Sequence, residues 1–207
     1  MKIYDISAVI SEDLPGFRGA RHTVTETSEI SKGDAHNSSQ ITMSSHMGTH
    51  ADVPYHFVAD GVTCDKIPLD IFYGPAKVAR LKVSGHVTKA DLTHLNINEG
   101  DRLLLDTGQS ALMQQGTFCE DYIGLTPDAA EYLVEKKVKT IGIDYLSIEP
   151  FGTEVYPTHK LLLGEGICVL EGLVLENVPE GEYILSALPL KIKNGNGSPV
   201  RAVLVAT

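Results

Sequence analysis

The stretch HMGTHADVPYH, residues 46–56, decides what this chain is expected to bind and how it is expected to fold. Three of its eleven residues are histidines, His46, His50 and His56, and Asp52 lies among them. Imidazole and carboxylate groups are the ligands that a borderline metal ion such as Zn²⁺ takes in proteins. An isolated histidine is more often structural, but three histidines and a carboxylate in one short segment predict a metal site. No such cluster surrounds His22, His36, His86 or His94.

The same stretch is predicted to be an extended or turn-rich segment. The spacing of four between His46 and His50 would suit one face of a helix, but Gly48 and Pro54 oppose a continuous helix. Asp52 lies two residues after His50, so in an extended segment both side chains leave the same face. Gly48 would let the backbone approach a bound ion closely.

Composition indicates one globular domain over residues 1–207. The chain is 43% hydrophobic and 21% charged, and it is long enough to bury a core of its own. Seventeen Lys and Arg against 27 Asp and Glu give a net charge of −10, which argues against nucleic acids and anionic membranes as partners. The sequence has no bilayer-length apolar run, no signal-peptide pattern at its start, and only three widely spaced cysteines. These features predict a cytoplasmic location.

Hydrophobic patterning predicts a strand-rich chain with both α and β elements. The apolar runs at residues 102–106 and 140–144 each end in an aspartate and are typical of buried strands. Thr126 before Pro127 is a helix start signal, and apolar residues then recur at helical spacing as far as Val138. A short helix is expected at residues 88–95. Further strands are expected at residues 3–9, 40–44, 76–83, 166–170, 183–190 and 200–205.

The segment at 46–56 resembles the H-x-G-T-H-x-D-x-P-x-H signature of the cyclase family of metal-dependent hydrolases, which includes kynurenine formamidases and isatin hydrolases. All seven defined positions are met. The resemblance implies a compact α+β domain with a swivelling β/β/α core, acting on a small molecule and assembling as a homodimer or tetramer. It extends over most of the chain, through residues 57, 60–61, 67–70, 74–78, 142–149, 157–160, 166–167, 170–173, 187–190 and 198–204.

Carried over residue by residue, the resemblance implies a binuclear metal site. His46, His50 and Asp52 match the ligands of a first ion. Asp52 would bridge to a second ion, which is also held by the residues matching His159 and Glu171. One or two Zn²⁺ ions per chain are expected, with Mn²⁺ as the alternative, because imidazole and carboxylate ligands suit either metal.

His56 matches the catalytic histidine of the family, and the ordinary pKa of histidine, about 6.5, suits proton transfer. A structural metal site has no use for a free base beside its ligands, so His56 favours an enzyme over a metal-binding relative without activity. Catalysis by a nucleophilic cysteine is the competing chemistry, but neither Cys64 nor Cys168 lies in a recognisable activating context.

The expected substrate region departs from the family pattern. Kynurenine formamidases usually carry an aromatic residue before Pro-Gly-Asp near the N-terminus, and that aromatic lines the substrate site. Here Leu14 replaces the aromatic and Phe17 replaces the aspartate, so Phe17 is expected to fill the aromatic role from a shifted position. The resemblance implies hydrolysis of N-formyl-L-kynurenine, an intermediate of tryptophan breakdown, or of a related aryl formamide. A cyclic amide, as in the isatin hydrolases, is the alternative.

Overall fold

A computed structural model describes residues 1–206 of the chain, which contain eleven strands and three helices. The helices are α1 (Lys89–Leu92), α2 (Pro127–Glu135) and α3 (Pro157–Gly164). Short 3₁₀ turns lie at Phe17–Gly19, Ile30–Lys32, Pro54–His56, Leu69–Ile71 and Ser110–Gln114. The strands are β1 (Ile3–Asp5), β2 (Thr23–Ser28), β3 (Ser38–Thr42), β4 (His50–Asp52), β5 (Tyr73–Arg80), β6 (Arg102–Asp106), β7 (Thr140–Ile143), β8 (Cys168–Glu171), β9 (Gly181–Ser186), β10 (Gly197–Pro199) and β11 (Val203–Ala206).

Nine of these strands form one mixed sheet in the order β1-β11-β9-β5-β6-β7-β8-β4-β10. The central strands β5 to β8 run parallel, and the strands outside them pair antiparallel. The first and last strands of the chain, β1 and β11, pair with each other near one edge, while β4 and β10 form the other. This mixed sheet with a few helices confirms the expected α+β class.

Both faces of the sheet are covered, and β6 shows how its sequence achieves this. Leu103 and Leu105 face the cluster that contains the helix residues Leu133 and Leu162. Leu104 points to the opposite cluster. Because successive side chains of a strand alternate between faces, an uninterrupted apolar run is what a strand buried on both faces requires. The sequence reasoning therefore located β6 correctly at residues 102–106.

Several predicted bounds differ from the structure for identifiable reasons. The strand expected at 3–9 ends at Asp5, and beyond it Ser7 makes only an isolated bridge to Leu173. The strand expected at 183–190 ends at Ser186. Pro189, three residues further on, has no N–H to donate to a ladder. The elements β2, β4, β10 and α3 were not predicted from the patterning. No helix within residues 1–206 is long and apolar enough to cross a lipid bilayer.

The strands β2 and β3 form a separate two-stranded sheet, which we call the hairpin (residues 23–42). Its residues are exposed on both faces, and the exposed side chains include Val24 and Ile41. A two-stranded hairpin with nothing packed against it is marginally stable in water. The hairpin therefore presents a surface that a partner could cover.

A close backbone contact joins the end of β8 to the loop before β4. Gly172 has a φ of +66°, and a Cβ at this position would lie 2.3 Å from the carbonyl oxygen of Gly48. Gly166 has a similar φ of +77° but nothing within 4 Å of the corresponding position. The two glycines therefore separate the cost of a left-handed backbone from the cost of a steric clash.

We predict that Gly172→Ala lowers the free energy of unfolding much more than Gly166→Ala does. The control should lose only the left-handed penalty, about 1–2 kcal/mol, whereas Gly172→Ala must also push apart two backbone segments. Urea denaturation of both variants measures the difference. Equal losses would mean that the contact between Gly172 and Gly48 gives way easily.

Candidate metal centre

The strand β4 carries His50 and Asp52, and both side chains leave the same face, as predicted for an extended segment. Antiparallel pairing with β8 places His50 directly opposite Glu171. The Nε2 atom of His50 lies 3.2 Å from a carboxylate oxygen of Glu171 and 3.6 Å from Oδ1 of Asp52. Strand pairing therefore brings together residues more than a hundred positions apart in the chain.

All five residues predicted as ligands meet at this point, in two sets that share Asp52. Within each set the possible ligand atoms lie within 4.8 Å of one another. The Nδ1 atom of His46 lies 2.7 Å from Oδ1 of Asp52. The Nε2 atom of His159 lies 3.7 Å from Oδ2 of Asp52 and 3.1 Å from Glu171. We call His46, His50 and Asp52 the first set, and Asp52, His159 and Glu171 the second set.

Two buried polar atoms at the centre of these sets lack a hydrogen-bond partner among the described residues. They are Nε2 of His50 and Oδ2 of Asp52. The short distance from His50 to Glu171 lacks the angle of a hydrogen bond. A buried polar atom without a partner costs free energy, so each such atom in a native protein needs an explanation. A cation held between these atoms would satisfy both, and the donor set fits a divalent metal ion.

The charges of the site depend on each other. Burial acts to lower the pKa of His50, but the nearby Glu171 and Asp52 carboxylates outweigh it and raise the pKa to about 9. His159 behaves alike: burial opposes its charge, while Glu149 and Glu171 raise its pKa to about 10. Burial would raise the pKa of Asp52, yet His46 and His50 hold it well below its ordinary value. Without a metal, protons on imidazoles therefore balance the buried carboxylates, and metal binding would displace them.

The ring orientations of two histidines are set by acceptors behind them. Nδ1 of His50 lies 2.9 Å from the carbonyl oxygen of Gly48, and Nδ1 of His159 lies 3.0 Å from Glu149. Both Nε2 atoms are thereby left facing the carboxylates. The carbonyl group of Gly48 thus orients His50, while a close approach of the Gly48 backbone to an ion stays a prediction. Glu149 was not singled out from the sequence, although it ends a stretch that matches the family.

His56 lies beside the two sets but belongs to neither. His56 ends the turn Pro54–His56, and its ring stacks on the ring of His46 with 4.0 Å between centroids. Burial and the neighbouring His46 and His159, against the opposing influence of Asp52, lower the pKa of His56 to about 4. Its imidazole is therefore neutral near pH 7 and able to accept a proton.

One cavity of about 320 Å³ connects these groups, a volume that suits a small molecule. Phe17 lines it, half-buried and packed edge-on against Phe118 with 5.1 Å between ring centroids. Phe57 stacks on His159. The lining residues are Phe17, Ala20, Ser44, His46, His50, His56, Phe57, Leu146, Ser147, Tyr156, His159 and Glu171.

The cysteines do not fit the competing nucleophilic chemistry. Cys64 and Cys168 are buried, and neither lines this cavity. Burial raises the pKa of the Cys64 thiol to about 11, and it also raises that of Cys168. A reactive cysteine needs the thiolate, which these environments disfavour.

Comparisons with known proteins show what the whole chain is similar to. The family model described as "Putative cyclase" matches residues 4–150. Kynurenine formamidase of Geobacillus thermodenitrificans is 38% identical over 207 residues, which cover 97% of this chain and 95% of that protein.

Two solved structures extend the comparison. A protein from Bacillus stearothermophilus described as a "predicted metal-dependent hydrolase" has a TM-score of 0.86 at 37% identity, covering 98% of this chain and 97% of its own. Isatin hydrolase A from Labrenzia aggregata, bound to benzyl benzoate, has a TM-score of 0.86 at 29% identity and covers 100% and 94% of the two chains.

Gly197 in β10 makes room for the ring of His46. A Cβ at this position would lie 2.5 Å from Cε1 of His46 and 3.0 Å from the carbonyl oxygen of Ala51. The backbone of β4 is held by strand pairing on both sides, so the His46 ring is the part that must move. Gly85 offers a control, because nothing lies within 4 Å of the corresponding position there.

We predict that Gly197→Ala weakens metal binding about tenfold or more, which corresponds to about 1.4 kcal/mol, while Gly85→Ala leaves it unchanged. Titration of metal-free protein against a chromophoric chelator measures both affinities. Wild-type affinity in Gly197→Ala would show that the position of His46 is not needed for metal binding.

Proposed function

The chain belongs to the cyclase family of metal-dependent hydrolases, and from that premise we propose that it hydrolyses an aryl formamide such as N-formyl-L-kynurenine. The protein is an amide hydrolase that acts on carbon–nitrogen bonds other than peptide bonds. The observation that carries the substrate proposal is one cavity lined by members of both ligand sets, by His56 and by the aromatic side chain of Phe17. This substrate would connect the enzyme to tryptophan breakdown.

The metal roles are part of the same proposal. His46, His50 and Asp52 would hold one ion, and Asp52 would share a second with His159 and Glu171. Nε2 of His50 and Oδ2 of Asp52, which have no hydrogen-bond partner among the described residues, support cation binding by these sets. Zn²⁺ is the proposed metal and Mn²⁺ the alternative, since imidazoles and carboxylates accept both. A divalent ion so held would lower the pKa of a water molecule from about 16 towards 7 and would polarise a carbonyl group.

The chain's own residues would move the proton and orient the substrate. The neutral His56 would take a proton from the attacking water and pass it to the departing arylamine. The formyl carbon forms a bond to the water oxygen and loses its bond to nitrogen, so the products are formate and an aryl amine. Phe17 and Phe57 would pack against the aryl ring and hold the formyl group near the ligand sets.

For His56, we predict that replacement by alanine lowers turnover about 10²–10⁴-fold while the metal content stays that of the wild type. The reason is that His56 lies outside both ligand sets. His94→Ala, at an exposed histidine, is the matched control and should keep full activity. Elemental analysis and steady-state kinetics decide the question. Stoichiometric loss of metal in His56→Ala would make His56 a ligand instead.

For the substrate, we predict turnover of N-formyl-L-kynurenine in preference to isatin. Removal of the Phe17 ring should raise KM about tenfold, because an aromatic pair contributes about 0.5–1.5 kcal/mol beyond its buried area. Phe17→Tyr, which keeps the ring, is the control and should stay near the wild type. The cyclic-amide alternative rests on the likeness to isatin hydrolase A. A wild type active on isatin but inert towards aryl formamides would replace our proposal with that alternative.

We also propose that the protein is a homo-oligomer, a dimer or tetramer, with the hairpin as a contact surface. Nearly all residues of its two strands are exposed, and the hairpin begins and ends close in the chain to Ala20 and Ser44, which line the cavity. A second copy covering it would remove two unpaired strand edges from water.

A cytoplasmic location stays a prediction from the sequence.

The oligomer is tested by shortening the hairpin. Thr23 and Thr42 are direct partners in the ladder, so residues 24–41 can be replaced by two glycines without separating the ends. We predict that light scattering gives a dimer or tetramer for the wild type and a smaller species for the shortened chain. A monomeric wild type, or an unchanged assembly after shortening, would contradict the prediction.

A further inference from the structure

Glu149 is a buried acid that belongs to neither ligand set, and only 2% of its surface is exposed. One of its carboxylate oxygens accepts from the backbone N–H of His159 at 3.0 Å and lies 3.0 Å from Nδ1 of the same ring. The other oxygen accepts from the backbone N–H of Thr158 at 3.4 Å. The whole carboxylate is thus directed at the first turn of α3 and at the imidazole that this turn carries.

We propose that Glu149 is a positioning residue that holds His159 with Nε2 aimed at Asp52 and Glu171, and so strengthens metal binding by the second set. This inference rests on the proposed function, because it requires that His159 bind a metal. Glu149 would act entirely through His159, without touching metal or substrate.

The argument starts from what a carboxylate can do. An ionised carboxylate only accepts hydrogen bonds, so the Nδ1 atom that faces Glu149 must carry the ring proton. In the neutral ring the lone pair then lies on Nε2, the atom 3.1 Å from Glu171 and 3.7 Å from Asp52. A carboxylate behind a histidine fixes its tautomer and makes it a stronger metal ligand.

The other buried histidine has no such carboxylate behind its Nδ1 atom among the described residues. His50 has the neutral carbonyl oxygen of Gly48 behind its Nδ1 atom. The first set contains one carboxylate, Asp52. The second set contains two, Asp52 and Glu171, and Glu149 lies behind its histidine, His159. An effect of Glu149 on metal affinity should consequently fall on the second set.

The segment that carries Glu149 also holds Glu171, another proposed ligand of the second set. The backbone N–H of Ile148 donates to a carboxylate oxygen of Glu171 at 2.6 Å. The segment is anchored in turn, since the Tyr122 hydroxyl donates to the carbonyl oxygen of Glu149 and the N–H of Leu125 donates to that of Ile148 at 2.7 Å. Two consecutive residues after β7 therefore orient both His159 and Glu171.

Replacement of Glu149 by glutamine tests this arrangement sharply. A glutamine side chain has one accepting oxygen and one donating NH₂ group. Glu149 faces N–H donors on both of its oxygens, so an amide leaves one N–H of Thr158 or His159 opposite another donor. With its NH₂ group towards His159 the amide would displace the ring, and with its oxygen there the ring would keep an acceptor but lose the negative charge behind it. Neither orientation removes a ligand. Glu154→Gln is the matched control, because Glu154 is an exposed acid just before α3.

The experiment uses the full chain, stripped of metal and titrated with Zn²⁺ against a chromophoric chelator. We expect two dissociation constants in the wild type, one of which rises about 10–100-fold in Glu149→Gln while the other stays unchanged. Glu154→Gln should match the wild type. Glu171→Gln removes a proposed ligand, so the same dissociation constant should rise further than it does in Glu149→Gln. The Co²⁺ absorption bands of one site should shift in Glu149→Gln, whereas a purely structural role would move the melting temperature alone.

The outcomes separate this proposal from the proposed function. Two ions bound equally well by the wild type and Glu149→Gln would overturn the role of Glu149 and leave the function intact. A wild type that binds a single ion would overturn the two-ion site. The proposed role of Glu149 would then stand if Glu149→Gln lowers the affinity for that ion, and it would be overturned if the affinity is unchanged.

A measurement on the wild type decides the case in which Glu149→Gln does not fold. With ¹⁵N-labelled histidine and ¹¹³Cd²⁺, we expect Nδ1 of His159 to carry a slowly exchanging proton and Nε2 to couple to cadmium. Cadmium coupling at Nδ1, or no coupling at His159, would overturn the proposal.

Discussion

The pairing of β4 with its two neighbours is the constraint on which the metal centre depends. β4 has three residues, and two of them are proposed ligands. Pairing with β8 sets His50 opposite Glu171, and pairing with β10 sets Asp52 opposite Gly197. Because side chains alternate along a strand, a slip of one residue would turn His50 and Asp52 to the other face of the sheet. Register at this edge is therefore a functional requirement as well as a structural one.

The charges at this edge are a cost to the fold unless a cation is present. Asp52 and Glu171 are both buried, and the neighbouring histidines balance them only while those histidines hold protons. Buried ion pairs of this kind are seldom worth more than apolar residues of the same volume. An ion that binds only the folded chain would stabilise it by mass action and take over the role of the protons. The composition of the site thus makes sense for binding and catalysis rather than for stability.

The sequence predicted what depends on local pattern and missed what depends on pairing. The strand at 102–106 and the helix after Thr126 follow from hydrophobic periodicity, and His46, His50 and Asp52 stand close in the chain. β4 has no hydrophobic alternation, because its strand geometry comes from its neighbours. His159 and Glu171 were reached only through a family resemblance, since nothing near them in the sequence resembles a ligand cluster. Glu149 was missed because its role exists only once α3 packs beside it.

Three neighbouring parallel strands show how far strand order decides the use of one sequence pattern. Each is an apolar run followed or ended by an acid, at Asp106, Asp144 and Glu171. Asp106 pairs with Arg80 of the adjacent β5, and Asp144 accepts from the backbone N–H groups of Thr107 and Gln109. Glu171 alone lies beside β4, where its neighbour is His50. The same local signal therefore yields a partly buried ion pair, a loop anchor and a proposed metal ligand, and the element next to each acid makes the difference.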